Sequence, residues 1–177
     1  MAVDHVKSSF ITNLDATPSV QNTAGEGGPA PHKFTDGYAT ALASSSVGAT
    51  YQLARVPSNC KIKSIIFESE AQTAGKFDLG VFYATDGEGG RPTSLLVANA
   101  ISAALFASAI DCASAVAATD VTNESGTYTL DKRTQPLWQA AGLSSDPGGF
   151  FDIVASVITT AVTTGTGKFG IRVGYTD

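Results

Sequence analysis

Histidine is the side chain best suited to general base catalysis at neutral pH, and this sequence contains two. His5 and His32 both lie within residues 1–35, a segment rich in proline and glycine. A catalytic imidazole must be held against its nucleophile by packed surroundings. We expect no such packing here, and therefore no Ser-His-Asp or Cys-His centre. The serines also lack the Gly-x-Ser-x-Gly signature of a nucleophile elbow.

Glu68 and Glu70 are the best candidates for a pair of catalytic carboxylates. They are two residues apart, so on a strand they would share one face. Glycoside hydrolysis uses two carboxyl groups about 5 to 10 Å apart. Any solvated strand produces the same spacing, so we interpret both residues as surface groups and expect no enzymatic activity.

Metal and cofactor motifs are incomplete in this sequence. Asp86 and Glu88 lie in a glycine-rich loop but lack the spacing of a calcium-binding loop. Cys60 and Cys112 are far apart and have no Cys-x-x-Cys spacing. Residues 164–168 end in lysine, as a phosphate-binding loop does, but the first glycine and the following Ser or Thr are missing. We therefore expect no metal and no cofactor.

The charge balance argues against nucleic acid as a partner. Among 177 residues, 11 are Lys or Arg and 16 are Asp or Glu, which gives a net charge of −5. Nucleic-acid binding depends on clustered Lys and Arg, so we expect no nucleic-acid partner. The most apolar stretch, residues 95–118, includes Asp111, which is costly inside a bilayer. We expect no membrane span, and residues 1–15 lack the apolar run of a secretory signal.

The elements that must position any site are strands. Large apolar residues alternate with polar or small ones at 51–56, 77–83, 150–158 and 168–176. Residues 61–71 carry apolar side chains on both faces, as a central strand does. Turns rich in Gly, Ser and Pro separate these runs. The pattern predicts an all-β fold, an antiparallel β-sandwich of jelly-roll type.

The last two strands give the sharpest local prediction. Glycines within 163–167 can adopt positive φ, which favours a hairpin between strands 150–158 and 168–176. The alternate apolar residues of the last strand are assigned to the structural core: Phe169, Ile171 and Val173.

Two short helices are predicted as insertions in the sandwich. Pro136 and Gly142 bracket a segment with helical apolar spacing, and we expect this helix to bury Trp138 in the core. The alanine-rich residues 101–107 favour a second short helix, although they would also line one face of a strand.

Residues 1–35 differ in composition from the body at 36–177. Their prolines and glycines disfavour both helix and paired strand, which predicts an extended N-terminal arm. An extended arm cannot bury its own apolar side chains, so we expect them to contact the body, a second subunit or a partner. The contact residues proposed on this basis are Phe10, Ile11 and Leu14.

A series of short stretches, spread over nearly the whole chain, matches the order of motifs in a known family of proteins. They are Lys7-Ser8-Ser9 with Ile11-Thr12-Asn13-Leu14-Asp15-Ala16-Thr17-Pro18, Tyr51 to Val56 with Pro57-Ser58-Asn59, Phe77-Asp78-Leu79-Gly80-Val81, Asp120-Val121-Thr122-Asn123-Glu124-Ser125-Gly126, Pro136-Leu137-Trp138-Gln139 with Gly142-Leu143 and Ser145-Asp146-Pro147, and Arg172-Val173-Gly174-Tyr175. In these stretches the chain resembles the capsid decoration, or cement, proteins of tailed bacteriophages.

The resemblance implies a jelly-roll body that oligomerises and clamps the subunits of an assembled capsid. The implied protein is made in the bacterial host cytoplasm and ends on the capsid exterior, with the major capsid protein as its partner. Sheet edges need covering, so we expect self-association, with a homodimer favoured over a homotrimer. The alternative function is a carbohydrate- or receptor-binding module of a phage tail.

Overall fold

A computed structural model describes Thr17 and residues 31–42, 45–72, 75–84, 95–158 and 167–177. Within these residues the chain forms eight strands, one α-helix and two 3-10 turns. The strands are β1 (Lys33–Thr40), β2 (Thr50–Pro57), β3 (Lys61–Ser69), β4 (Lys76–Tyr83), β5 (Ala100–Asp111), β6 (Val116–Asp120), β7 (Phe150–Val157) and β8 (Lys168–Thr176). The 3-10 turns are Val97–Asn99 and Leu130–Thr134, and the helix α1 is Leu137–Ala140.

The strands form two antiparallel four-stranded sheets. The front sheet has the order β1-β8-β3-β6 and the back sheet has the order β2-β7-β4-β5. The strands pair in a nested order: β1 with β8, β2 with β7, β3 with β6 and β4 with β5. The pairs β3–β8 and β4–β7 then join these ribbons into sheets. This is the strand order of a jelly roll, so the predicted all-β antiparallel sandwich is confirmed.

Aromatic side chains fill the space between the two sheets. Phe169 of the front sheet lies 4.9 Å from Phe77 of the back sheet, measured between ring centroids, and 5.0 Å from Tyr51 in an edge-to-face contact. Ile171 and Val173 follow Phe169 on the same face of β8 and are buried with it. Such ring contacts contribute beyond the area they bury, by about 0.5 to 1.5 kcal/mol for each pair.

The predicted hairpin between the last two strands is wrong. β7 lies between β2 and β4 in the back sheet, whereas β8 lies between β1 and β3 in the front sheet. The chain therefore crosses from one sheet to the other after Val157. Both strands are central, and their hydrogen-bonding edges are already occupied by other strands. A glycine-rich connector suits a crossing between sheets as well as a hairpin turn, so local composition could not separate the two.

The helix predicted at 101–107 is also wrong, because these residues belong to β5. Long-range pairing with β4 outweighs the helix propensity of the alanines. The pairing is irregular: Leu79 faces Ala107 and Val81 faces Ser102, so two steps on β4 match five on β5. Such bulges break the alternation from which a strand is recognised.

The helix predicted between Pro136 and Gly142 is present as α1, but its buried residues differ from expectation. Leu137 and Ala140 are the buried side chains. Trp138 is only partly buried and packs against the rim of the core. The helix lies between β6 and β7 and is attached at the beginning of β3, since the backbone N–H of Leu137 donates to the Cys60 carbonyl at 2.7 Å.

The predicted boundary between arm and body lies close to the first strand. β1 begins at Lys33, so its first residues fall within the range assigned to the arm. Apart from Thr17, residues 1–30 lie outside the described part of the chain. The proposed contact residues Phe10, Ile11 and Leu14 are therefore outside it as well.

Candidate binding face

Strand β1 has its large side chains on the outside of the sandwich and its small ones on the inside. Phe34 and Tyr38 are exposed by 63% and 76%, whereas Thr35, Gly37 and Ala39 face inward. The cause is close packing against β2: a Cβ on Gly37 would lie 1.5 Å from the Leu53 carbonyl oxygen. No side chain fits between the two strands at this corner, so the apolar bulk of β1 faces solvent.

The outward residues of β1 lie opposite glycines of β8. Phe34 is in register with Gly174, which is in register with Ser64 of β3. A Cβ on Gly174 would meet Phe34 Cε1 at 3.1 Å and Ser64 Oγ at 2.7 Å. The Phe34 ring thus occupies the space that the missing side chain leaves. This packing of an aromatic ring over a glycine stabilises an edge strand.

Between the two aromatic residues, Asp36 and Arg172 form a cross-strand ion pair. Arg172 donates from Nε to Asp36 Oδ1 at 2.7 Å and from Nη2 to Oδ2 at 3.4 Å. Asp36 raises the pKa of Arg172 above its ordinary value, through the hydrogen bond first and through charge second, and Glu68 adds a smaller electrostatic contribution. Both partners are well exposed, so the pair orients the Arg172 guanidinium more than it stabilises the fold.

A groove of about 840 Å³ runs across the middle of the front sheet beside this pair. All four strands of the sheet line it, with Tyr38 of β1, Gly170 of β8, Glu68 of β3 and Val116 of β6 among the lining residues. The charged side chains that line it are Asp36, Glu68, Glu70, Lys168 and Arg172. Small-molecule sites typically measure about 300 to 1,000 Å³, so this outer face has the size of a ligand site.

The two glutamates singled out in the sequence both line this groove but are engaged differently. Glu70 follows the end of β3, and its Oε2 accepts the backbone N–H of Lys168 at 2.8 Å. In the residues that the structure describes, Glu68 has no hydrogen-bond partner, and neither does the Lys168 ammonium group. Glu68 and Lys168 are therefore available to a ligand, whereas one oxygen of Glu70 is committed to holding β8.

The sequence analysis considered Glu68 and Glu70 but missed the residues that β1 contributes to this face. The available signal was the spacing Phe34-x-Asp36-x-Tyr38, which puts one charged and two aromatic side chains on one face of a strand. Of the core assignments, Phe169, Ile171 and Val173 point between the sheets, and Trp138 lies on the segment between β6 and β7. The face includes the two glutamates considered at the outset, and the groove is also lined by Phe169 and Ile171 of β8.

The described ranges also bear on metal binding and on membrane insertion. No group of three or more His, Cys, Asp or Glu side chains there is arranged to hold a metal ion. No helix among these residues is long and apolar enough to cross a membrane.

Comparison with known proteins gives one informative match. No family model and no curated protein matches this sequence. Among solved structures, a chain of the "Cyanophage Pam1 capsid asymmetric unit" superposes with a TM-score of 0.51 at 15% sequence identity. The alignment covers 92% of this chain and 96% of that chain. At this identity the match establishes a shared fold, and the two chains share it over nearly their whole lengths.

Proposed function

We propose that this protein is a structural component of a bacteriophage virion, a decoration protein that binds the outer surface of the capsid and stabilises the shell. The observation that carries the proposal is the fold shared with a chain of a phage capsid asymmetric unit over almost the full length of both chains. The resemblance of the sequence to capsid decoration proteins supports the same role independently.

The physical demands of such a role are modest for each copy. A protein bound at many equivalent positions needs a rigid body and contact area, because many weak interfaces add through multivalency. It needs no turnover chemistry, and we propose no enzymatic role. Hydrolysis of a polysaccharide that is lost on Glu68→Gln or Glu70→Gln substitution would contradict this.

The proposed partners are the major capsid protein and a second copy of this chain. We assign the capsid contact to the N-terminal arm, since burying each large apolar side chain contributes about 1.5 to 3 kcal/mol. For self-association, a homodimer is favoured and a homotrimer is the alternative. Each sheet ends in strands that pair on one side only, such as β6, and a two-fold contact is the commonest way to cover such edges.

The test uses capsids of the phage that encodes the chain. Full-length protein should co-sediment with capsids lacking it, and protein without residues 1–20 should keep its far-UV circular dichroism and thermal unfolding but lose attachment. A sharper comparison stays within the arm. Alanine at the apolar positions Phe10, Ile11 and Leu14 should weaken attachment, whereas alanine at the neighbouring polar positions Ser8, Ser9 and Asn13 should not.

Cryo-electron microscopy of complete particles gives position, copy number and oligomeric state together. Density on the shell exterior supports the proposal, and isolated monomers with uncovered strand edges would contradict the dimer. Density at the tail tip would instead favour the second candidate, a carbohydrate- or receptor-binding tail module. The observation that favours this second candidate is the groove over Gly170, which has the size of a ligand site.

A further inference from the structure

Two rows of the front sheet, separated by the Asp36–Arg172 pair, share one architecture but differ in whether the aromatic ring covers the glycine. In each row an aromatic residue of β1 faces a glycine of β8, and β3 supplies a polar residue on the far side. The rows are Phe34–Gly174–Ser64 and Tyr38–Gly170–Glu68. Only the second row lies in the groove.

The Phe34 row is closed by its own ring, as described above. Over Gly170, a Cβ would lie only 2.7 Å from the Gly37 carbonyl oxygen and 3.0 Å from the Tyr38 Cβ, but no atom of the Tyr38 ring is among the three nearest atoms. Tyr38 is also exposed by 76%. The slot is the part of the groove that lies above this crowded position, between Tyr38 of β1 and Glu68 of β3, whose strands are about 10 Å apart.

The slot combines three chemical properties. Tyr38 offers an aromatic face and a hydroxyl group, neither of which is used by a described residue. Glu68 offers two acceptor oxygens, and Lys168, two residues before the glycine, offers three donors. A ligand with an apolar ring face and several hydroxyl groups satisfies all three at once.

The local charges disfavour an ionic ligand. Lys168 and Arg172 lie on either side of Gly170 along β8, so an incoming cation would approach two positive groups. Asp36, Glu68 and Glu70 surround the same groove, so an anion would meet three carboxylates. A neutral ligand avoids both penalties and still uses the free donors and acceptors.

We propose that this slot binds one pyranose ring of a neutral glycan. The Tyr38 ring packs against the apolar face of the sugar, Glu68 accepts hydrogen bonds from its hydroxyl groups and Lys168 donates to a hydroxyl oxygen. The site goes beyond the capsid role, because it lies on the body and not on the arm and needs no contact with the shell.

The experiment titrates the full-length protein with neutral sugars and observes backbone amides by NMR. The probes are the methyl glycosides of glucose, galactose, mannose and N-acetylglucosamine, followed by oligosaccharides of the one that binds. For at least one probe we expect shifts centred on Gly170, Glu68 and Lys168, with a Kd on the order of millimolar for a single ring. Tyr38→Ala and Glu68→Gln should each weaken binding at least fivefold.

Phe34→Ala is the matched control, because it removes another exposed aromatic residue from the same strand, also opposite a glycine of β8. It should leave sugar affinity unchanged. All three substituted side chains are on the surface, and unchanged amide spectra away from the substitution verify the fold. Absence of shifts at the slot with every sugar would overturn the proposal. So would larger shifts with Nα-acetyl-lysine methylamide, which would identify a basic protein partner instead.

Discussion

At the scale of single residues, Asp152 carries a carboxylate that is fully removed from solvent on β7, a central strand of the back sheet. Arg55 donates to it from Nε at 2.6 Å and from Nη2 at 3.0 Å, and Gln52 Nε2 donates at 2.7 Å. A buried charge is tolerated only when it is paired and hydrogen-bonded. The two β2 side chains therefore make this strand position possible.

We predict that Arg55→Met lowers the free energy of unfolding by about 3 kcal/mol, because it leaves a buried carboxylate without its cation. Arg172→Met is the matched control. It breaks an Arg–Asp pair of similar geometry whose two side chains are about 60% exposed, and it should cost no more than about 1 kcal/mol. Urea unfolding of both variants measures the difference. Equal losses would show that Asp152 does not depend on Arg55 for its burial.

At the scale of elements, the corner between β1 and β2 closes one side of the sandwich. Gly37 lets the backbones approach directly, and the close contact falls at the bulge of β2 between Gln52 and Ala54. A bulge of this kind turns a strand edge away from further pairing. The corner therefore hinders further pairing at two edge strands, β1 of the front sheet and β2 of the back sheet.

Gly37→Ala should be among the most destabilising single substitutions in the chain. The added methyl group would overlap the Leu53 carbonyl oxygen, so β1 must move away from β2. We expect a loss above about 4 kcal/mol or failure to fold. Gly48→Ala is the control: Gly48 has φ +89° and nothing within 4 Å of its would-be Cβ, so only backbone strain of about 1 to 2 kcal/mol applies. Similar thermal stability of the two variants would contradict this account.

The strands could be predicted from alternation, but their partners could not. The runs at 51–56, 77–83, 150–158 and 168–176 all lie in strands, because period-two patterning is local information. Which sheet a strand joins depends on edges contributed by residues far away in sequence. β7 and β8 illustrate this, since each is sequestered between two distant strands and they do not pair with each other.

The spacing of Phe34, Asp36 and Tyr38 shows that they share one face, but the exposure of that face could not be predicted, for a related reason. Phe34 and Tyr38 alternate like core residues, and on most strands the apolar side faces inward. Their exposure follows from the contact between Gly37 and Leu53, which no local pattern encodes. Glu68 was recognised as a surface group, but its place opposite Tyr38 depends on β8 lying between β1 and β3.

At the scale of the whole molecule, the buried acidic groups make stability depend on alkaline pH. Burial raises the pKa of the Cys112 thiol to about 11, and burial also raises the pKa values of Cys60 and Tyr128. These groups stay protonated in the folded protein at a pH where the unfolded chain releases their protons. The unfolded state is therefore favoured increasingly as the pH rises above the ordinary thiol pKa of about 9.

We predict that the free energy of unfolding falls between pH 8 and pH 10, by about 1.4 kcal/mol per thiol for each pH unit above about 9. The contribution of Cys112 should level off near pH 11, where the folded thiol also ionises. The double substitution Cys60→Ala and Cys112→Ala should flatten this decline, whatever its effect on stability at pH 7. Urea unfolding at a series of pH values measures the slope. A slope unchanged by the double substitution would mean that other groups control it.

The pairing of the first strand with the last has a consequence for how the protein is made. Lys33 lies opposite Tyr175, and β8 also provides the neighbour that β3 needs. The ribosome must therefore synthesise residues 168–176, and these must leave its exit tunnel, before the front sheet can close. Until then, the edges of β1 and β3 that pair with β8 stay unpaired. Contacts of such long sequence separation fold slowly and expose nascent chains to aggregation, so the nascent chain is at risk of aggregation until β8 has emerged.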